Sequence, residues 1–234
     1  MITVKGLQAG YGKLEVLHDI NLQFEPDQFT AILGPNGSGK STLIKSIFGL
    51  TSIWDGSITF AAHELVSMPT EKISSLGLAY VPQRENVFSE LTIQDNLLLG
   101  MRLMSKEDRR SALEELYELF PILQKRSRQK TGELSGGERQ MVAIAIGWLT
   151  RPKIMILDEP TAGLAPIVAS EVFDVLRRIC ANGLTLIIVE QNARRVLKYC
   201  DYAFVLRQGQ LVFQGSAAQC LNDPETIMNY LGVR

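Results

Sequence analysis

Residues 34–41 read "GPNGSGKS" and place a lysine, serine hydroxyls and glycines at the spacing G-x-x-x-x-G-K-[ST]. Gly37 and Gly39 can take backbone conformations that other residues avoid, so successive N–H groups can converge on phosphate oxygens. Lys40 is placed to reach the terminal phosphates, and the Ser41 hydroxyl is a ligand for Mg²⁺. The phosphate-facing candidates are therefore Gly34, Asn36, Gly37, Ser38, Gly39, Lys40, Ser41 and Thr42. A chance glycine-rich turn is the bland alternative. The flanks argue against it: "FTAILG" before the stretch reads as a buried strand, and "STLIKSIFGL" after it as a helix, which is the setting the motif requires. The expected ligand is a nucleoside triphosphate with Mg²⁺.

Residues 154–160, "IMILDEP", supply a second half. Four apolar residues predict a buried strand ending in Asp158, placed to hold Mg²⁺. Glu159 follows, where a carboxylate can orient an attacking water and accept its proton. A carboxylate is a weak base near neutral pH. Phosphoryl transfer depends mostly on positioning and charge stabilisation, so a well-placed Glu suffices.

A third stretch, "ELSGGERQ", has no evident catalyst. Ser135 and Glu138 have the spacing of a capping box, so Ser135 is expected to start the helix that contains "MVAIAIGWL". With Gly136 and Gly137 behind it, this N-terminus is a second anion site made of free N–H groups. It lacks a lysine or a metal ligand of its own. Such a site makes sense as a lid over the γ-phosphate of a nucleotide bound elsewhere. If that nucleotide sits on another subunit, two-fold symmetry gives two sandwiched nucleotides.

The elements that must position these stretches alternate. Residues 2–7 and 16–24 read as strands around the turn "GYGK", and "DGSITF" as a turn leading into a strand. From about residue 87 to about residue 150 the pattern becomes helical. Thr92 and Asp95 open one helix. Ser105 opens another, with a stripe of Leu113, Leu116, Tyr117 and Phe120 that stops at Pro121. A strand, a helix over 167–181, the strand "LTLIIVE", a helix over 193–199 and the hairpin "YAFVLRQGQLVFQG" follow. A last helix is expected in "DPETIMNYLG", capped by Asp223 with Pro224 at its first position. The pattern predicts an α/β fold: a P-loop NTPase core with an N-terminal antiparallel β subdomain and an inserted α-helical subdomain. The expected division is residues 1–86 and 151–234 for the core and β subdomain, and 87–150 for the helical part.

Composition sets the limits. Lys plus Arg (24) nearly cancels Asp plus Glu (25), and 46% of the 234 residues are apolar, so global charge gives no support for nucleic-acid binding. The longest apolar run falls far short of the ~20 residues of a membrane helix. The N-terminus lacks a signal-peptide pattern. Cys180, Cys200 and Cys220 lack metal-like spacing and read as reduced packing residues. These features predict a soluble intracellular chain. The basic run "KRSRQK", 125–130, reads as a solvated linker, with a lipid or partner contact as the alternative. His18 and His63 receive no role.

"GPNGSGKST", "VPQ", "LSGGE" and "ILDEP", in this order and spacing, resemble the ATP-binding subunit of ABC transporters over essentially the whole chain. The resemblance implies ATP as the nucleotide and a head-to-tail dimer of ATPase subunits, of one or two kinds, in which each "LSGGE" closes the partner's site. It further implies integral membrane permease subunits as partners, and a place on the cytoplasmic face of the cell membrane through them. Tyr11 resembles the aromatic that stacks on adenine. Gln83 resembles the residue that senses Mg²⁺ and water, its loop contacting the permease.

Some positions depart from the family. Gln191 stands where most members carry a switch His; it can donate a hydrogen bond but cannot carry a proton. Hydrolysis is expected to be slowed without being lost. Ala165 replaces a usual Asp, which bears on coupling between the two sites, and Ile146 a usual Arg. "GLAP", "VEQNA", "FSELTIQDNLLLG" and the closing "YLG" resemble the subgroup that energises uptake of branched-chain and related amino acids, although "VPQ" and Ile146 do not follow it. The alternative is a non-transport ABC ATPase such as an iron–sulfur assembly ATPase, against which "GLAP" and "VEQNA" argue. The chain ends about where the ATPase core is expected to end.

Overall fold

The computed structural model describes residues 1–84 and 86–223. In chain order the strands are β1 (Ile2–Tyr11), β2 (Leu14–Phe24), β3 (Phe29–Leu33), β4 (Ser52–Phe60), β5 (His63–Glu64), β6 (Leu78–Val81), β7 (Ile154–Asp158), β8 (Thr185–Glu190), β9 (Tyr202–Arg207) and β10 (Gln210–Ser216). The helices are α1 (Lys40–Ile47), α2 (Thr70–Ser75), α3 (Ile93–Gly100), α4 (Lys106–Leu119), α5 (Pro121–Lys125), α6 (Gly136–Leu149), α7 (Pro166–Ala181), α8 (Ala193–Val196) and α9 (Ala217–Asn222), with a 3₁₀ turn at Thr131–Glu133.

Two sheets form. A four-stranded antiparallel sheet has the order β2-β1-β4-β5, and a six-stranded sheet the order β10-β9-β3-β8-β7-β6. The pairs β9–β3, β3–β8, β8–β7 and β7–β6 are parallel, and β10 adds an antiparallel edge. The fold is α/β with an N-terminal antiparallel β sheet and a helical insertion between β6 and β7, as the alternation of elements predicts.

The parallel strands are buried on both faces, which is why they read as unbroken apolar runs. Along β8, Leu186 and Ile188 join one core while Ile187 and Val189 join the other; along β7, Met155 and Leu157 divide from Ile154 and Ile156 in the same way. The first core lies under α6, α7 and the inserted helices. The second is filled by α1 and the antiparallel sheet. The loops at the carboxyl ends of β3, β7 and β8 thus leave a rigid, doubly covered sheet. Their positions are fixed by register: Leu33 pairs with Glu190, and Asp158 with Val189.

Several local expectations change. Asp55 and Gly56 lie inside β4 rather than in a turn before it; pairing with β1 shifts register there, and a Cβ on Gly56 would stand 2.6 Å from the Gly6 carbonyl. The turn-like dipeptide marks a bulge where two backbones approach closely. Helix α4 ends at Leu119 with Phe120 as its C-cap, just before Pro121 as expected, and Pro121 also opens a new helix at its first position. The helix expected over 193–199 spans Ala193–Val196 only, capped by Asn192.

The basic run 125–130 is largely exposed, as a solvated linker would be, and two of its residues form surface ion pairs: Arg126 with Glu138 at 3.1 Å and Lys130 with Glu90 at 3.3 Å. Strand β6 and helix α9, the latter opened by a Ser216–Gln219 capping box, have no counterpart in the sequence reading. The expected terminal helix from Pro224 lies outside the described residues, while Asp223 caps the end of α9. Among the described residues no helix is long and apolar enough to cross a membrane.

Candidate active site

The P-loop joins β3, buried at every position, to α1, so a rigid strand feeds a helix N-terminus. Gly37 (φ 76°) and Gly39 (φ 101°) take left-handed conformations; nothing crowds a Cβ at Gly37, so there the backbone alone favours glycine. Asn36, Gly37, Ser38, Gly39, Lys40, Ser41 and Thr42 line a cavity of about 210 Å³ with Val16 and Glu159. Gly34 does not line it. Its carbonyl accepts from the Lys40 Nζ at 2.9 Å, and the Pro35 carbonyl does so at 3.0 Å. Burial of the Lys40 ammonium lowers its pKa, opposed by the charges of Glu159, Asp158 and Glu190. The Ser38 hydroxyl is buried without a hydrogen-bond partner. A cradle with a spare hydroxyl and a lysine held on carbonyls fits a phosphate chain.

Asp158 ends β7 beside this cradle. Its carboxylate accepts from the Ser41 hydroxyl at 3.0 Å and from the Tyr80 hydroxyl at 3.3 Å. Burial raises its pKa, against the Ser41 and Tyr80 hydrogen bonds that lower it. Burial, followed by the Asp158 charge, likewise raises that of Tyr80. Ser41 and Asp158 offer the hard oxygen donors that suit Mg²⁺, which takes one or two protein oxygens and completes its shell with water and phosphate.

Glu159 adopts φ 45°, a left-handed conformation unusual for a residue with a side chain. Its N–H donates to the Val189 carbonyl at 3.0 Å and its carbonyl accepts from Ala162 at 3.1 Å. The carboxylate thereby turns toward two amides. Gln83 donates to Oε2 at 3.0 Å, and Gln191 to Oε1 and Oε2 at 2.8 and 2.9 Å. Three residues far apart in sequence converge because the ends of β6, β7 and β8 are adjacent. Gln83 thus stands on Glu159 rather than on the Ser41–Asp158 pair.

Ser135 caps α6 in a full capping box: its N–H and its hydroxyl donate to Glu138 Oε2, each at 2.9 Å, and the Glu138 N–H returns a bond to the hydroxyl. The glycines behind it differ. Gly136 is exposed, whereas Gly137 is buried, and a Cβ there would lie 2.1 Å from Val168 Cγ1 on α7. One glycine leaves backbone open and the other lets two helices meet. Ser135, Gly136 and Gly137 do not line the P-loop cavity. Gly136 instead lines a groove of about 570 Å³ with Gln83, Arg84, Val87, Gln140 and Glu159. Tyr11 ends β1 opposite Leu14, is 43% exposed, and also lies off the cavity lining.

Val16, Tyr80 and Glu190 belong to the site's surroundings although no motif marks them. For Glu190 a signal existed: it is a carboxylate at the end of an otherwise apolar strand, "LTLIIVE".

Comparison with known proteins places the chain in a family. Residues 17–162 match the family model described as ABC transporter. BraG of Pseudomonas aeruginosa, a high-affinity branched-chain amino acid transport ATP-binding protein, is 37% identical over 99% of this chain and 100% of its own. LivF of Archaeoglobus fulgidus, a probable branched-chain amino acid transport ATP-binding protein, is 40% identical over 94% of this chain and 93% of its own. LptB of Escherichia coli, a lipopolysaccharide export system ATP-binding protein, is 32% identical over 99% and 97%. The crystal structure of a nucleotide-free ATP-binding cassette from an ABC transporter superposes with a TM-score of 0.87 at 26% identity, covering 100% of this chain and 99% of that one. The chain belongs to the ABC transporter family, as one of its ATP-binding, ATP-hydrolysing subunits.

Proposed function

We propose that this ATPase drives import of branched-chain or related amino acids, docked on integral membrane permease subunits at the cytoplasmic face of the cell membrane. The observation that carries the catalytic part is the Glu159 carboxylate, which lines the P-loop cavity and is held by Gln83 and Gln191. The solute class is supported by the relatives at 37% and 40% identity, both of branched-chain amino acid transport, ahead of the lipopolysaccharide export relative at 32%.

In this reading the N–H groups of residues 36–42 hold the triphosphate of ATP, Lys40 exchanges the Gly34 and Pro35 carbonyls for phosphate oxygens, and Tyr11 stacks on adenine. Ser41 and Asp158 would hold Mg²⁺, which when bound neutralises phosphate charge, and Gln83 would join them by turning from Glu159. Glu159 takes a proton from water as the water oxygen bonds to the γ-phosphorus and the bond to the ADP oxygen breaks. Gln191 turns its amide from Glu159 to the γ-phosphate. A second ATPase subunit, identical or related, closes the site with its own Ser135 and Gly136 end of α6. Residues 87–150 act as a subdomain against the core formed by 1–86 and 151–234. The groove beside Gln83 and Arg84 receives the permease.

Light scattering on Glu159→Gln protein with and without ATP tests the sandwich, with Lys40→Ala as control. A monomer that becomes a dimer only with ATP supports it; a protein that binds ATP and stays monomeric points to a second kind of subunit. Uptake of labelled leucine, isoleucine and valine in cells with and without the gene tests the solute. Unchanged uptake of all three rejects that part.

A further inference from the structure

We propose that Glu190 is a positioning residue for ATP hydrolysis: its carboxylate ties the segment after Glu159 to the end of β8, from which Gln191 leaves, and so fixes the two loops that carry the carboxylate and the amide relative to each other. The inference rests on the role of Glu159 given above.

Every position of β8 is buried, and the last is this carboxylate, 4% exposed. Its Oε1 accepts from the Thr161 N–H at 3.1 Å and from the Thr161 hydroxyl at 2.6 Å. Gln191 follows Glu190 directly in the chain, so whatever fixes this side chain also fixes the start of the loop that carries Gln191. The backbone of Glu190 pairs with Leu33, the residue before the P-loop. One side chain therefore joins the turn after β7 to the strand rung from which the P-loop and the Gln191 loop both start.

The tie falls where the sheet stops helping. Parallel pairing of β7 and β8 ends at Asp158 and Val189. Beyond it one chain turns through residues 160–165 toward α7 and the other enters α8, and the backbone-to-backbone bond that still crosses is that of the Glu159 N–H to Val189. Glu159 needs a left-handed backbone to present its carboxylate, and such a conformation persists only where its surroundings over-determine it. Thr161, two residues on, is the next point at which the turn is anchored to β8, and Glu190 is the anchor.

A purely structural rung would not need a carboxylate. An apolar side chain would complete β8 without burying a charge, and a buried charge is weak evidence for stability. Burial pushes the Glu190 carboxyl up, against the donors that hold it down, and the neighbouring Glu159 charge adds to the rise. What the carboxylate adds is an acceptor that can take several donors at once from fixed directions.

The test compares Glu190→Ala, Glu190→Gln, Thr161→Val and Glu159→Gln in steady-state ATP hydrolysis, with amide hydrogen exchange over residues 159–163 and 190–192. Glu190→Ala should lower kcat on the order of tenfold to a hundredfold, the scale of a misplaced reacting group, with KM for ATP unchanged. Exchange should rise in both segments together. Glu190→Gln keeps an acceptor at Oε1 and should recover most of kcat. If Glu190→Ala does not fold, Thr161→Val carries the comparison, because it removes one donor and leaves the strand intact. A Glu190→Ala kcat within twofold of wild type, a parallel change in KM, or no recovery in Glu190→Gln each overturns the proposal. An active Glu159→Gln would instead overturn the reading of Glu159 on which it rests.

Discussion

The Gln191 side-chain amide donates to both oxygens of the Glu159 carboxylate, at 2.8 and 2.9 Å. Both bonds come from one nitrogen, so this amide is committed to Glu159 and must turn away to meet a phosphate. Gln191→Ala should lower kcat by roughly tenfold with little change in KM, since it removes orientation rather than ground-state binding. Gln191→Glu should be worse at neutral pH and regain activity as pH falls, because two carboxylates at this distance cannot both ionise. Steady-state kinetics between pH 5 and pH 8 reads both; a Gln191→Glu enzyme as active as Gln191→Ala at every pH would reject the contact.

Gly137 and Val168 give a packing prediction. The Cβ of Gly137→Ala would fall 2.1 Å from Val168 Cγ1. Overpacking of this kind costs about 1–3 kcal/mol, more than the ~1 kcal/mol helix preference of Ala over Gly. Gly136→Ala meets only Leu164 Cδ2 at 3.2 Å, the end of a flexible side chain, and should leave stability nearly unchanged. Urea unfolding of both variants, and of Gly137→Ala with Val168→Ala, measures this. Absence of rescue in the double variant would refute the clash.

Asp201 links three elements. It accepts from the Phe29 N–H at 2.9 Å, where β3 begins, and pairs with Arg177 of α7 at 2.8 Å. Burial pushes its carboxyl up, but the Arg177 and Phe29 donors outweigh burial and hold it below the usual range. A lowered carboxylate pKa contributes stability above the unfolded value of about 3.9, and that stability is lost as pH falls through the folded value. The stability gap between wild type and Asp201→Asn should be level above about pH 5 and close in acid below pH ~4. Urea midpoints measured from pH 7 into acid decide; a gap that does not narrow at all below pH ~4 means the pairing is not electrostatic.

The three cysteines are buried, and burial pushes the thiols of Cys200 and Cys220 up to about 12 and about 11. Thiolate, not thiol, is the nucleophile. A chromogenic disulfide reagent at pH 8 should therefore react far more slowly with native than with denatured protein. Rapid labelling of the native chain would show that α9 opens in solution, since Cys220 belongs to it.

Local chemistry was legible where neighbours in sequence are also neighbours in space. The P-loop, the apolar strand ending in Asp158 and Glu159, and the Ser135 capping box are each one short stretch, and each needs only its own flanks. Parallel strands read clearly because both faces are buried and leave no polar interruption. Elements with mixed signals read poorly. Asp55–Gly56 looks like a turn until β1 lies beside it, and Pro121, which does stop α4, gives no sign that α5 begins on it.

Residue type and spacing are enough to mark the groups able to hold a phosphate or accept a proton. Which of those groups meet depends on how the strands and helices pack. The order β3-β8-β7-β6 brings Gln83, Glu159 and Gln191 to one edge and sets Glu190 beneath them, although these residues lie in segments of the chain with no local relation to one another. Packing also separated Gly136 from Gly137, identical in the sequence, into an exposed backbone and a helix contact. The reason is that strand order, register and helix packing depend on burial summed over the whole core, whereas a motif depends on the covalent chain alone.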